Sequence, residues 1–153
     1  SRRQRQMCIR DRHGTSDKLF LFEAPIDMLS YISMQKAKDL QKVLTRENEL
    51  KYNKTLEREL AVVACRWEEH SYAASCSVSD RVLFQCLKDN PNIKNVCLCF
   101  DNDEVGQKAN KRIAEKLNSM NIQNEILIPI HKDWNEDLTL PDKGDEQICY
   151  QVL

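Results

Sequence analysis

Carboxylates gather behind three short apolar runs of this chain. Leu19-Phe20-Leu21-Phe22 runs directly into Glu23, with Asp27 four residues on; Ile93 to Phe100 (IKNVCLCF) runs into Asp101-Asn102-Asp103; Glu125 to Ile130 (EILIPI) is followed by Asp133, with Glu136 and Asp137 close behind. If the runs are parallel strands, these acids converge on one rim, since ligands of open parallel sheets bind beyond the carboxyl ends of the strands. Converging carboxylates repel one another unless a cation or a shared proton neutralises them. Their hard oxygens point to Mg²⁺ or Mn²⁺ rather than zinc, and Mg²⁺ completes its shell with water and substrate phosphates. Asp101 and Asp103, two apart, project to one side of a continuing strand with Cα atoms about 6.6 Å apart, where they could share one ion or flank two. Phosphoryl chemistry is the natural use of such a site.

Two other readings compete for the Asp101–Asp103 segment. Helix capping explains one Asp or Asn there, but not acids behind two further strands. A calcium loop fails, because its fifth and twelfth positions would be Val105 and Arg112 and the preceding segment reads as a strand.

The elements that must position these acids can be read from the hydropathy pattern. Short apolar runs without clean alternation are the habit of strands buried on both faces, as in parallel sheets. Ser71–Ser75 is a fourth such run, with 61–65 as its rival. Helical patterns lie between: 26–34 after Pro25, a charged stretch over 36–60, a stripe of Val82, Leu83, Cys86 and Leu87 behind Ser79-Asp80, and Val105, Ala109, Ile113 and Leu117 recurring every four residues. Alternating strands and helices predict an α/β fold with a mostly parallel sheet of about four strands. The stretch 35–65 reads as a solvated helical insertion, its basic and acidic residues nearly balanced.

Composition narrows the classes further. The chain has 153 residues and three glycines, where average usage of about 7% would give roughly eleven, so glycine-rich loop and linker architectures are out. No apolar run approaches the ~20 residues that span a bilayer. Seven cysteines without a C-x-x-C pair argue against a disulfide framework or zinc ribbon, and for a reducing, cytoplasmic compartment. Cys97 and Cys99 read as buried strand residues, with a C-x-C metal clip as the minor alternative. The first twelve residues, SRRQRQMCIRDR, carry five Arg and one Asp and read as a non-native or disordered leader, which leaves the remaining chain at a formal charge of −5. We assign 13–140 to one domain and 141–153 to a tail.

Taken together, FLFEAPIDMLSY, VCLCFDNDEVGQKA and KDWNEDL resemble the Toprim domain, the metal-binding module of bacterial primases, topoisomerases, recombination mediators and some nucleases. The nearest flavour is the Toprim-like domain of primase-like and mobilisation proteins from Firmicutes plasmids and conjugative elements. The likeness spans roughly residues 18 to 140 and implies a Rossmann-like fold. It makes Glu23 the strand-one glutamate, a general acid or base, and Asp27 the acid one helical turn beyond. Asp101 and Asp103 become the D-x-D pair that binds Mg²⁺ (or Mn²⁺), with Gly106 as the glycine that often follows. Asp133 falls at the family's further acid and Asn135 where primases often have a second one, while Lys132 and Trp134 belong to the same signature. The chain departs from the family at Ala24, where Gly commonly stands, and at Ser75-Cys76-Ser77, in place of a Gly-rich turn. A glycine there permits positive φ, which Cys76 should resist.

The resemblance implies a Mg²⁺-dependent nucleic-acid enzyme domain, most simply the catalytic module of a DNA primase-like protein from a mobile element. Its partners would be DNA or RNA, nucleotide triphosphates and other domains of a longer parent protein. The acidic body has no basic groove of its own to hold a phosphate backbone by counterion release. The alternatives are a non-catalytic Toprim-type module that binds DNA or protein, and a Mg²⁺-dependent phosphatase or receiver-like domain. The last usually has a nucleophilic Asp where Glu23 stands.

Overall fold

The computed structural model describes residues 14–46, 54–140 and 150–151; the basic leader at 1–12 lies outside the described residues, as does most of the segment after 140. Four strands, β1 (Lys18–Phe22), β2 (Ser71–Ala74), β3 (Asn95–Cys99) and β4 (Gln123–Leu127), form a parallel sheet in the order β2-β1-β3-β4. A two-residue strand, β5 (Tyr150–Gln151), adds antiparallel to the free side of β4. The predicted α/β class is therefore observed. The second strand is the Ser71 run, and its rival at 61–65 closes a helix instead.

Helices cover both faces of the sheet, which is why its strands carry no polar alternation. Helix α1 spans Pro25–Arg46 and α2 spans Lys54–Cys65, followed by a 3₁₀ turn at Arg66–Glu69. Helices α3 (Arg81–Asp89), α4 (Glu104–Ser119) and α5 (Trp134–Thr139) complete the set. Leu19, Leu21, Val96, Leu98 and Ile126 point to one face, under Val82, Leu83 and Cys86 of α3 and Ala109, Ile113 and Leu117 of α4. Phe20, Phe22, Tyr72, Cys97, Cys99 and Leu127 point to the other, under Met28, Tyr31 and Ile32 of α1 and Trp134 of α5. Each fully buried Leu, Ile or Phe in these layers contributes about 1.5–3 kcal/mol.

Helix α1 runs unbroken through Gln35, where the pattern suggested two helices, because no Gly or Pro interrupts it. Its far half meets α2 through Val43, Leu56 and Val63, with Leu40 and Leu60 alongside, a small apolar seam separate from the two main layers. Cys97 and Cys99 sit fully buried with their Sγ atoms 3.7 Å apart, as packing residues do. No helix among the described residues is long and apolar enough to cross a membrane.

Strand β1 has β2 on one side and β3 on the other, so the chain's connections diverge at the β1–β3 boundary. Such a divergence leaves a crevice beyond the strand ends. Phe22 pairs with Cys99 in register, which brings Glu23 and Asp101 to the two lips of that crevice.

Candidate metal centre at the strand ends

Each acid on this rim is placed by a different local device. Glu23 follows β1 directly, and Asp27 lies in the first turn of α1 behind Pro25. Strand β3 ends at Cys99, so Asp101 and Asp103 lie beyond the paired strand, although the Asp103 backbone is itself extended. Asp103 is instead the N-cap of α4, where its Oδ1 accepts the Gly106 N–H at 2.8 Å. Asp133 does the same for α5, accepting the Glu136 N–H at 2.8 Å. Capping commits one oxygen of each carboxylate and leaves its charge on the rim.

Gly106 is required by close approach. A Cβ at this position would stand 2.3 Å from the carbonyl oxygen of Asp101, closer than any side chain can sit. The first turn of α4 thus presses on the backbone of the very residue at the centre of the rim. Gln107 donates its Nε2–H to that same carbonyl at 3.1 Å.

Asp101 is the most perturbed acid of the set. Its carboxyl is pushed up to about 7 from 3.8, first by burial, then by the charges of Glu23, Asp27, Asp133 and Asp103. Its Oδ1 is buried and has no hydrogen-bond partner. Burial also raises Glu23, reinforced by Asp103 and Asp27 and opposed by the backbone of Asp101 and the Lys132 charge. Burial raises Asp27 as well, with the Asn135 and Trp134 backbone N–H groups and the Asp133 charge acting in opposite senses. The charges of Asp103 and Asp133 thus act on Glu23, Asp27 and Asp101, a convergence from three strand ends that spacing along the chain only suggested.

Among the described residues, no three His, Cys, Asp or Glu side chains stand together as a ready-made ligand group. The buried, unpartnered Asp101 Oδ1 is the group on this rim that a divalent cation would satisfy.

Further groups hold the rim together. Asn102, between the two aspartates, donates its N–H to the Lys132 carbonyl at 2.7 Å and its Nδ2–H to the Pro129 carbonyl at 3.1 Å, tying the β3 and β4 loops. Trp134 is buried, edge-on to Tyr31 and Phe22, and its indole N–H donates to the Cys99 carbonyl at 2.9 Å. Asp137 accepts the Ile130 and His131 N–H groups and the His131 ring at 2.9, 2.7 and 2.9 Å, closing the turn before Asp133. The signals for Asn102 and Asp137 were present as short polar residues at strand ends. Their partners were not, being set by the approach of separate loops.

Lys132 is exposed, and its charge acts on Glu23. Asn135 is bonded to one of the acids: its N–H donates to Asp27 at 3.2 Å and its Oδ1 accepts from Ser30 at 3.4 Å. The turn after β2 corrects one expectation. Cys76 does adopt a left-handed backbone, at φ 55°, where the sequence suggested it would resist. Ser75 holds the turn in place, its N–H donating to the Phe22 carbonyl at 3.0 Å and its hydroxyl reaching the Phe22 and Ser77 carbonyls, at the cost of strain that a glycine would avoid.

A family model described as Toprim-like matches residues 20–138. The chain belongs to the Toprim-like family. The match spans β1 to α5 and so contains every acid described above. Neither the curated proteins nor the solved structures contain a match to the chain. Toprim domains generally bind Mg²⁺ and serve metal-dependent processes on nucleic acids, and this chain is a module of that kind.

Proposed function

We propose that this Toprim-like domain is the metal-dependent catalytic module of a nucleic-acid enzyme, acting in nucleotidyl transfer or phosphodiester chemistry. The observation that carries the reading is the partnerless, buried Asp101 Oδ1 amid four other carboxylates, an arrangement that repels itself until a cation arrives. Asp101, Asp103 and Asp133 are the residues that would hold Mg²⁺ or Mn²⁺. When bound, the cation supplies charge neutralisation for a nucleotide triphosphate or backbone phosphate. Glu23 holds or moves a proton: burial and its acidic neighbours raise its affinity for one toward the working range of a general acid or base. Lys132 stands exposed beside it, positioned to meet phosphate.

A DNA primase-like protein of a plasmid or conjugative element is the parent we favour, with a neighbouring domain supplying a basic surface for the phosphate backbone. DNA or RNA and nucleotide triphosphates would be its substrates and the cytoplasm its compartment. The strained Cys76 turn and Ala24 favour a second reading, a Toprim-type module that binds DNA or protein without chemistry, because both stand where the family's glycines would let backbone approach a ligand.

Calorimetric titration of Mn²⁺ into the wild type and into the Asp101→Asn/Asp103→Asn double variant tests the metal site. Binding to the wild type alone is expected, and equal, negligible heats from both would overturn the reading. Primer synthesis and nicking assays on single-stranded and supercoiled DNA, with the parent protein's neighbouring domains present, then separate enzyme from binding module. No product in either assay would favour the latter.

A further inference from the structure

We infer that Asp27 is a positioning residue: its carboxylate fastens the first turn of α5 to α1, and so sets where Asp133 stands on the rim. The inference rests on the metal-binding reading above and assigns Asp27 a part in it other than that of a ligand. Asp27 is only 4% exposed although it belongs to a rim open to solvent. Its Oδ1 accepts the Asn135 N–H at 3.2 Å, across 108 residues of chain, and the Trp134 N–H bears on the same carboxylate. One turn further along α1, the buried Ser30 hydroxyl donates to the Asn135 Oδ1 at 3.4 Å. Two residues on one face of α1 therefore grip both the backbone and the side chain of Asn135.

The opening amides of α5 are shared between two acids. Asp133 takes the Glu136 N–H and Asp27 takes that of Asn135, while the Trp134 N–H acts on the Asp27 charge. Trp134 is anchored in turn to the Cys99 carbonyl, two residues before Asp101. The path from Asp27 through α5 thus reaches both Asp133 and the end of β3. Asp101 offers the contrast, since its buried Oδ1 has no partner while that of Asp27 accepts the Asn135 N–H. An oxygen already bonded to backbone N–H has less to offer a cation, and residues that orient metal ligands commonly change affinity 10- to 100-fold when lost.

The test uses Mn²⁺ titration, thermal melting and amide hydrogen exchange on the wild type, Asp27→Asn, Asp27→Ala and Asp101→Asn. Asp27→Asn keeps an oxygen that can accept the Asn135 N–H, so Mn²⁺ affinity should stay within about threefold and exchange at Asn135 should stay slow. Asp27→Ala should weaken Mn²⁺ about tenfold or more and speed exchange at Asn135 by a similar factor. Asp101→Asn should lose Mn²⁺ binding with protection at Asn135 unchanged. An Asp27→Asn chain that loses Mn²⁺ as fully as Asp101→Asn makes Asp27 a ligand and overturns the inference, as does an Asp27→Ala chain that keeps both properties. Should Asp27→Ala fail to fold, Ser30→Ala decides, with faster exchange at Asn135 and weaker Mn²⁺ expected and no change in either overturning the clamp. A wild type that binds no Mn²⁺ sinks the metal reading itself, and the exchange data then judge the clamp alone.

Discussion

At the edge where the strands begin, Lys18 pairs with Glu125, Asn95 donates to Asp17 at 2.9 Å, and Asn124 donates to Asn118 at 2.6 Å. At the edge where they end, burial and neighbouring acidic charges raise the proton affinity of Glu23, Asp27 and Asp101, and a buried oxygen of Asp101 has no partner. The first edge also carries an open cleft of about 730 Å³ lined by Lys18, Asn95, Asn121 and Glu125 among others. A polar surface whose groups satisfy one another needs nothing further, whereas one whose groups repel is complete only with a ligand of opposite charge.

The largest contrast between the edges should appear in cation binding. Asp101→Asn removes the unpartnered carboxylate and should weaken Mn²⁺ by about 30-fold or more, while Glu125→Gln at the other edge should change it less than about twofold, both read by calorimetry. Equal effects would erase the distinction.

Next in size is Gly106→Ala. The added Cβ would collide with the Asp101 carbonyl at 2.3 Å, so α4 or the end of β3 must shift, and overpacking of this kind costs about 1–3 kcal/mol. Urea denaturation should register that loss, together with weaker Mn²⁺ binding, because the shift moves Asp101 itself. Full stability would mean that the first turn of α4 yields freely.

A pH series sharpens the contrast without mutation. Asp101 ionises near 3.8 when unfolded and near 7 when folded, so between those values the folded chain keeps a proton that the unfolded chain has released. The metal-free protein should be most stable, as far as this group decides, below about pH 4, lose stability as pH rises toward 7 and level off above it. Solvent screening at a half-exposed rim holds the slope below the limit of about 1.4 kcal/mol per pH unit for one proton. Glu23 and Asp27, also raised, act in the same direction. Melting temperatures at pH 5 and pH 8 should differ in that sense without Mg²⁺, and Mg²⁺ or Asp101→Asn should narrow the gap. A gap that survives both would place its origin elsewhere.

Smallest of all should be the loss of the Lys18–Glu125 pair. Both side chains are about one-third exposed, and pairs of this kind contribute roughly 0–1 kcal/mol. Lys18→Met should shift the urea midpoint only slightly and leave cation binding untouched.

Much of this was legible along the chain because it depends on neighbours. Apolar runs bounded by turn residues marked the strands, and acids at their ends marked the rim. The Asp-Asn-Asp-Glu-Val-Gly string contained both the cap of α4 and the glycine it needs. The helix break suggested near residue 35 was misplaced, since charge density alone does not stop a helix. The roles of Asn102, Trp134 and Asn135 were hidden, because each depends on a partner more than 25 residues away that only folding supplies.

By itself the sequence determined the class of the fold, the approximate places of the strands and the acidity of their ends, because burial on two faces and short-range capping leave periodic traces. Only the tertiary structure decided which acids differ. Asp27 was drawn under α5 and bonded to its Asn135 amide, Asp103 and Asp133 were turned into caps, and Asp101 was left buried with an oxygen unpartnered. Proton affinity and hydrogen bonding follow from what surrounds a carboxylate in space, and four identical Asp side chains carry no record of that in their letters.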